Sequence, residues 1–160
     1  MPRSTDIGPP LLGALLRMPV DAIRERMLAA LHAQGHGEIV PAHLIVLRYP
    51  SPDGRRPSEI AANSGMSKQA LNYLLGQLEA LGYLTRDPDP DDHRSKRVHL
   101  TDRGHDAIQT MRATVTTIER EWSAALGSDD VERLRAILTR LSGVLQAPED
   151  GRDRSSRRHP

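Results

Sequence analysis

The sequence predicts a mostly α-helical fold with one small β-hairpin wing: a winged helix-turn-helix flanked by terminal dimerisation helices. Three observations predict it. Two helical patterns between Pro57 and Leu81 flank Ser64-Gly65-Met66, a turn whose glycine can supply the positive φ that a short helix–helix connection needs. Tyr83–Arg86 and Lys96–Leu100 then read as paired strands around the charged, turn-rich DPDPDDHRS. Beyond them Ile108, Met111, Val115, Ile118, Trp122 and Ala125 recur at steps of three and four, the spacing of a coiled-coil seam.

Composition agrees. Aromatic residues are 2 % of the chain and Phe is absent, so Leu, Ile, Val, Ala and Met must build the core, a palette suited to packed helices. A chain of 160 residues fits one domain. The formal net charge is +1, so a case for nucleic acid must rest on local placement of charge rather than on a global basic field. With no Cys, disulfides, thiolate metal sites and thiol-based redox sensing are excluded. Leu11–Leu16 is too short for a signal and is followed by Arg17, and no apolar run approaches the roughly 20 residues of a membrane span. A cytoplasmic protein with no membrane partner is expected.

Taken in order, residues 1–8 are polar and expected to be flexible. Pro9-Pro10 suits a helix start, and Leu11, Leu12, Leu15 and Leu16 share one face. Pro19 predicts a break, with a new helix from about Val20 through Ile23, Met27, Ala30 and Leu31, stopped by Gly35 and Gly37. A short helix follows from Pro41 to about Tyr49, then a loop from Pro50 to Pro57 with a turn at Asp53-Gly54. Pro57 to Asn63 forms the first motif helix, capped by Ser58 or a neighbour. Ser67 caps the second, which runs to about Leu81 on the stripe Ala70, Leu71, Leu74, Leu75, Leu78 and Leu81, with Gly82 ending it. Thr101 opens the long seam helix to about Leu126. Gly127 breaks it, and a last helix to Gln146 repeats the pattern with Val131, Leu134, Leu138, Leu141 and Leu145. The domain spans 9–147, with a DNA-binding lobe at about 41–100 and dimerisation helices at about 9–35 and 101–146; the charged, apolar-free tail 148–160 is expected to be disordered.

The candidate site residues lie on the second motif helix and in the hairpin. Lys68, Gln69, Asn72 and Tyr73 place donors and acceptors at the N-terminal end of the helix's polar face. There Gln and Asn can pair with adenine, and Lys can reach guanine or phosphate. Ser67 sits where backbone N–H groups could hold a phosphate. The plain alternative is the solvated face of an amphipathic helix. In the loop, Asp87, Asp89, Asp91 and Asp92 lie on the approach and Arg94, Lys96 and Arg97 at the tip, an arrangement suited to a narrow minor groove. Its plain alternative is a charged, soluble turn.

These residues resemble the MarR-type winged helix regulators. The resemblance covers roughly Leu11 to Gln146. It rests on PSEIA, GMSKQAL, LEALGYLTR, the DDHRSKRVHLT wing with its Asp92-x-Arg94 element, and TDRG at the start of the next helix. It implies that Arg94 reaches the minor groove, that Asp92 helps fix the wing tip, and that Ser67, Lys68, Gln69, Asn72 and Tyr73 lie in or beside the major groove. It also implies a homodimer built from terminal helices, in agreement with the seam, and a small-molecule effector held between those helices and the DNA-binding lobe. Met18, His43, Met111 and Trp122 are weak candidates to line that pocket, core packing being their ordinary role. Pro19 departs from the family's long first helix.

The expected function is a DNA-binding transcriptional regulator, a small-molecule-responsive repressor that binds a pseudo-palindromic operator as a homodimer. Two alternatives stay open: a winged-helix protein–protein interaction module, and a metal-responsive regulator. For the latter, His32 and His36 have a chelating spacing that Gly35 interrupts, and His93, His99 and His105 gather near the wing. No metal site and no cofactor is expected, and no nucleophile elbow, phosphate loop or zinc-protease motif suggests an enzyme.

Overall fold

The computed structural model describes residues 9–48 and 53–146. The expectations for residues 1–8, for Tyr49–Pro52 and for the tail beyond Gln146 lie outside them. Six helices and one hairpin follow in the order α1 (Leu12–Ala33), α2 (Pro41–Arg48), α3 (Pro57–Ser64), α4 (Lys68–Ala80), β1 (Leu84–Asp89), β2 (Asp92–Leu100), α5 (Asp102–Leu126) and α6 (Ser128–Gln146). The fold class is the one expected. The chain divides into two compact units, one reaching to Thr117 and one beginning at Ile118.

Pro19 does not split the first helix: α1 runs unbroken through it. Proline removes one backbone donor and crowds the preceding turn, yet the turns on both sides keep their own bonds. The helix ends at Ala33, and Gly35 takes φ +88°, as a left-handed C-terminal residue does. α3 has Pro57 in its first turn, but Arg56, without a side-chain cap bond, occupies the cap position expected of Ser58 or a neighbour. Gly65 takes φ +68°, the turn conformation expected of it. The Ser67 hydroxyl accepts the Ala70 N–H at 3.1 Å and caps α4.

The core of the first unit gathers Met27 and Leu31 from α1, Leu44, Val46 and Leu47 from α2, Ile60 from α3, four leucines of α4, and Tyr83, Leu84, Val98, Ile108 and Met111. Ala70, placed on the α4 stripe from sequence, is exposed; the buried α4 residues are Leu71, Leu74, Leu75 and Leu78. α5 starts where it does because several groups converge there. The Thr101 hydroxyl accepts the Gly104 N–H at 3.1 Å and donates to the Gly82 carbonyl at 2.6 Å. Gly104 packs so closely on the preceding turn that a Cβ would lie 2.1 Å from the Tyr83 carbonyl oxygen. The glycine of TDRG is therefore required by a close backbone approach.

In the second unit Ile118 and Val131 are buried. Along α6, by contrast, Leu134, Ile137, Leu138, Leu141, Val144 and Leu145 are all exposed. On α1, Leu12, Leu15, Met18 and Val20 are exposed as well.

Candidate nucleic-acid interface

α4 divides cleanly. Its buried leucines anchor one face, while Ser67, Lys68, Gln69, Asn72 and Tyr73 are all exposed on the other. The structure thus brings the five helix candidates together at one helix end, with the capped N-terminus and its unpaired N–H groups beside them.

The hairpin is longer than expected, and its turn is shorter. The strands run to Asp89 and from Asp92, leaving Pro90-Asp91 as the turn, because the acidic run is extended rather than looped. The register shifts between Pro88, opposite Lys96, and Asp89, opposite Asp92. Residues 93–95 therefore have no partner on β1 and bulge out of the ladder. Arg94 sits in this bulge and is exposed. Its N–H donates to Asp92 Oδ1 at 3.1 Å, so Asp92 fixes the local backbone.

A residue not singled out from the sequence holds the wing together. Asp89 is fully buried. Its carboxylate accepts from Arg56 Nε at 2.6 Å, from the Asp91 N–H at 2.9 Å and from the Ser95 hydroxyl at 3.3 Å, and it lies 3.1 Å from Arg97 Nε. The Arg56 hydrogen bond, then that from Asp91 with help from Arg97, holds the carboxyl well below the usual carboxylate range against the opposing effect of burial. This network ties the bulge base to the residue preceding α3. Arg97, expected at the groove, also donates to the Gly54 carbonyl at 2.9 Å and to Asp91 at 3.2 Å, so its guanidinium is engaged within the wing. Arg94 and Lys96 are exposed. The sequence signal for Asp89 was indistinguishable from its acidic neighbours, since only the register shift turns it inward.

A second polar cluster supports the junction of hairpin and α5. Tyr83 is fully buried; its hydroxyl lies 3.1 Å from His36 Nδ1, and His36 Nε2 lies 3.1 Å from Asp106. Burial raises the Tyr83 pKa. Arg103 stacks over the Tyr83 ring at 4.5 Å and donates to Glu38 at 2.8 Å and to the Leu81 carbonyl at 2.8 Å. His32 bonds the Ile39 carbonyl at 2.9 Å, so His32 and His36 have different hydrogen-bond partners. His99 and His105 both approach Asp53, at 3.5 Å and 3.9 Å. Among the described residues no group of three or more potential ligands is placed to hold a metal.

A cavity of about 930 Å³ opens between α1, α2 and the first half of α5. Its walls are mainly apolar, with Met27, Leu44, Ile45, Met111 and Val115, and include Arg24, Arg48 and Arg112. Of the four ligand candidates read from sequence, Met111 alone lines it. Met18 is exposed, Trp122 belongs to the second unit, and His43, on another face of α2, bonds Gln77 at 3.2 Å.

Comparison with known proteins agrees with this geometry. Residues 39–95 match the MarR family. A transcriptional repressor, CouR, bound to a 23-mer DNA duplex is 26 % identical and superposes with a TM-score of 0.64, over 82 % of this chain and 92 % of that one. A Mycobacterium tuberculosis MarR family protein in complex with salicylic acid is 27 % identical with a TM-score of 0.59, over 85 % and 98 %. MarR from E. coli, in its apo form, shares the fold at 24 % identity and a TM-score of 0.62, over 84 % and 98 %.

Proposed function

We propose that this chain, a winged helix-turn-helix transcriptional regulator of the MarR type, is a cytoplasmic homodimeric repressor that binds a pseudo-palindromic operator and is released by a small molecule. The observation that carries the reading is the two-sided α4. Four leucines hold it in the core while Ser67, Lys68, Gln69, Asn72 and Tyr73 are exposed toward its N-terminal end. Such a helix enters the major groove and reads base edges with those residues. Arg94 and Lys96, exposed in the wing, reach the adjoining backbone and minor groove; Asp92 and Arg97 shape the wing that carries them. The DNA-bound state of CouR supports this use of the fold.

The exposed leucines of α6 and α1, which a second copy would cover, support the dimeric reading. The effector site is the cavity beside α2. Its apolar walls, with the Arg112 side chain among them, suit a small apolar molecule bearing an acid group, and a relative at 27 % identity holds salicylic acid. The test is selection of bound duplexes from a random pool at stated salt, followed by a salicylate titration of the complex. Recovery of an inverted repeat, and its release by the acid, is expected. Recovery of no preferred sequence would favour a protein-docking role for the winged helix.

A further inference from the structure

We propose that His43, a residue remote from the exposed face of α4, is a positioning residue for DNA recognition that acts through Gln77 on the hydroxyl of Tyr73. The proposal rests on the reading of α4 as the DNA-reading helix. His43 is buried at the third position of α2, and its Nδ1 accepts the N–H of Val40, the residue preceding the helix, at 3.3 Å. A side chain at this position commonly reaches back to that N–H, although the usual residue is Glu or Gln. Imidazole differs in one respect: once Nδ1 is an acceptor, the ring proton must sit on Nε2.

That assignment propagates. His43 Nε2 donates to Gln77 Oε1 at 3.2 Å. With its carbonyl so occupied, the Gln77 amide turns its NH2 toward Tyr73, one turn earlier on α4, and donates to the phenol oxygen at 3.2 Å. The Tyr73 hydroxyl thereby accepts a bond from within the protein and keeps its own proton available. Tyr73 is 67 % exposed, so nothing packs its ring in place; the relay supplies the orientation that burial does not. The polarity is fixed from end to end: Val40 N–H to His43, His43 to Gln77, Gln77 to Tyr73. The phenol is thus presented outward as a donor toward an acceptor atom of the duplex.

The test is a double-mutant cycle on the full chain, measuring affinity for a duplex selected from a random pool. Tyr73→Phe removes the donor. His43→Glu keeps an acceptor for the Val40 N–H but has no proton for Gln77, so the amide reverses and claims the phenol proton. Each single variant should weaken binding by about 3- to 10-fold, the range of one hydrogen bond, and the double variant no more than either single one. If thermal melting shows that His43→Glu does not fold, Gln77→Met on the half-buried face of α4 completes the same cycle. Losses that multiply in the double variant, or a Tyr73→Phe protein that binds normally, would overturn the relay. Arg94→Ala, run alongside, separates the two failures: weakening there with a flat cycle leaves the DNA reading standing, whereas a wild-type chain that binds no duplex sinks both.

Discussion

The reading lobe and the last helix solve opposite problems. In the lobe, buried polar groups stand behind three of its parts: Asp89 behind the wing, Tyr83 behind the start of α5, His43 behind α4. A single chain completes that region. α6 has the reverse character, with Leu138, Leu141, Val144 and Leu145 open to solvent along a helix that buries Val131 alone among the described residues. Apolar surface left uncovered in this way marks a contact that another surface completes. The difference teaches that, on the proposed reading, specificity is internal to one copy while the working geometry needs two.

The comparison breaks most visibly at α6. Leu138→Glu with Leu141→Glu should convert a dimer to monomers in sedimentation and abolish tight operator binding, because each leucine withdrawn from an interface forfeits about 1.5–3 kcal/mol. A dimer that survived would place the interface elsewhere. Next in size is Gly104→Ala, where the new methyl meets a backbone oxygen that cannot move aside. We expect a loss of about 3 kcal/mol of stability, read as a lowered denaturant midpoint. The dimer should persist wherever the protein remains folded, which separates the lobe's defects from those of α6.

Smaller effects sharpen the lobe itself. Arg94→Ala should weaken operator binding by about tenfold and reduce the slope of log affinity against log salt by about 1, since one groove cation is removed. An unchanged slope would mean that Arg94 does not approach the duplex. Asp89→Asn tests the buried base of the wing through pH. The folded-state pKa of Asp89 is depressed, so its contribution is complete above the ordinary carboxylate value, about 4, and is lost as pH falls toward the lower folded value. Wild type should therefore lose stability on acidification through that window, and the variant should be less stable at neutral pH with a flatter acid limb. Parallel curves for the two proteins would remove Asp89 from the account.

Where structure depends on neighbours in the chain, the sequence is legible. The Gly65 turn, the Ser67 cap, the leucine face of α4 and the helix start at Thr101 are all local devices, and they stand where their residue types place them. Pro19 misleads for a local reason too: its one missing donor is easily read as a break, although the flanking turns continue the helix. The burial of Asp89 depends instead on a register shift across the hairpin, and nothing distinguishes it in sequence from Asp87 or Asp91. Tyr83 with His36, and His43 with Gln77, are joined across 47 and 34 residues, distances over which periodicity carries no information. The candidates on the exposed face of α4 were legible; the buried groups that orient them were not.

The most direct test of the central claim, that two copies read one operator in fixed geometry, is the binding of duplexes whose half-sites are moved apart. The selected inverted repeat should bind two chains with half-site centres about one helical turn, roughly 34–36 Å, apart. Insertion of about half a turn, ~5 base pairs, should rotate one half-site to the opposite face and abolish two-chain binding. Equal affinity and the same stoichiometry at both spacings would contradict the account.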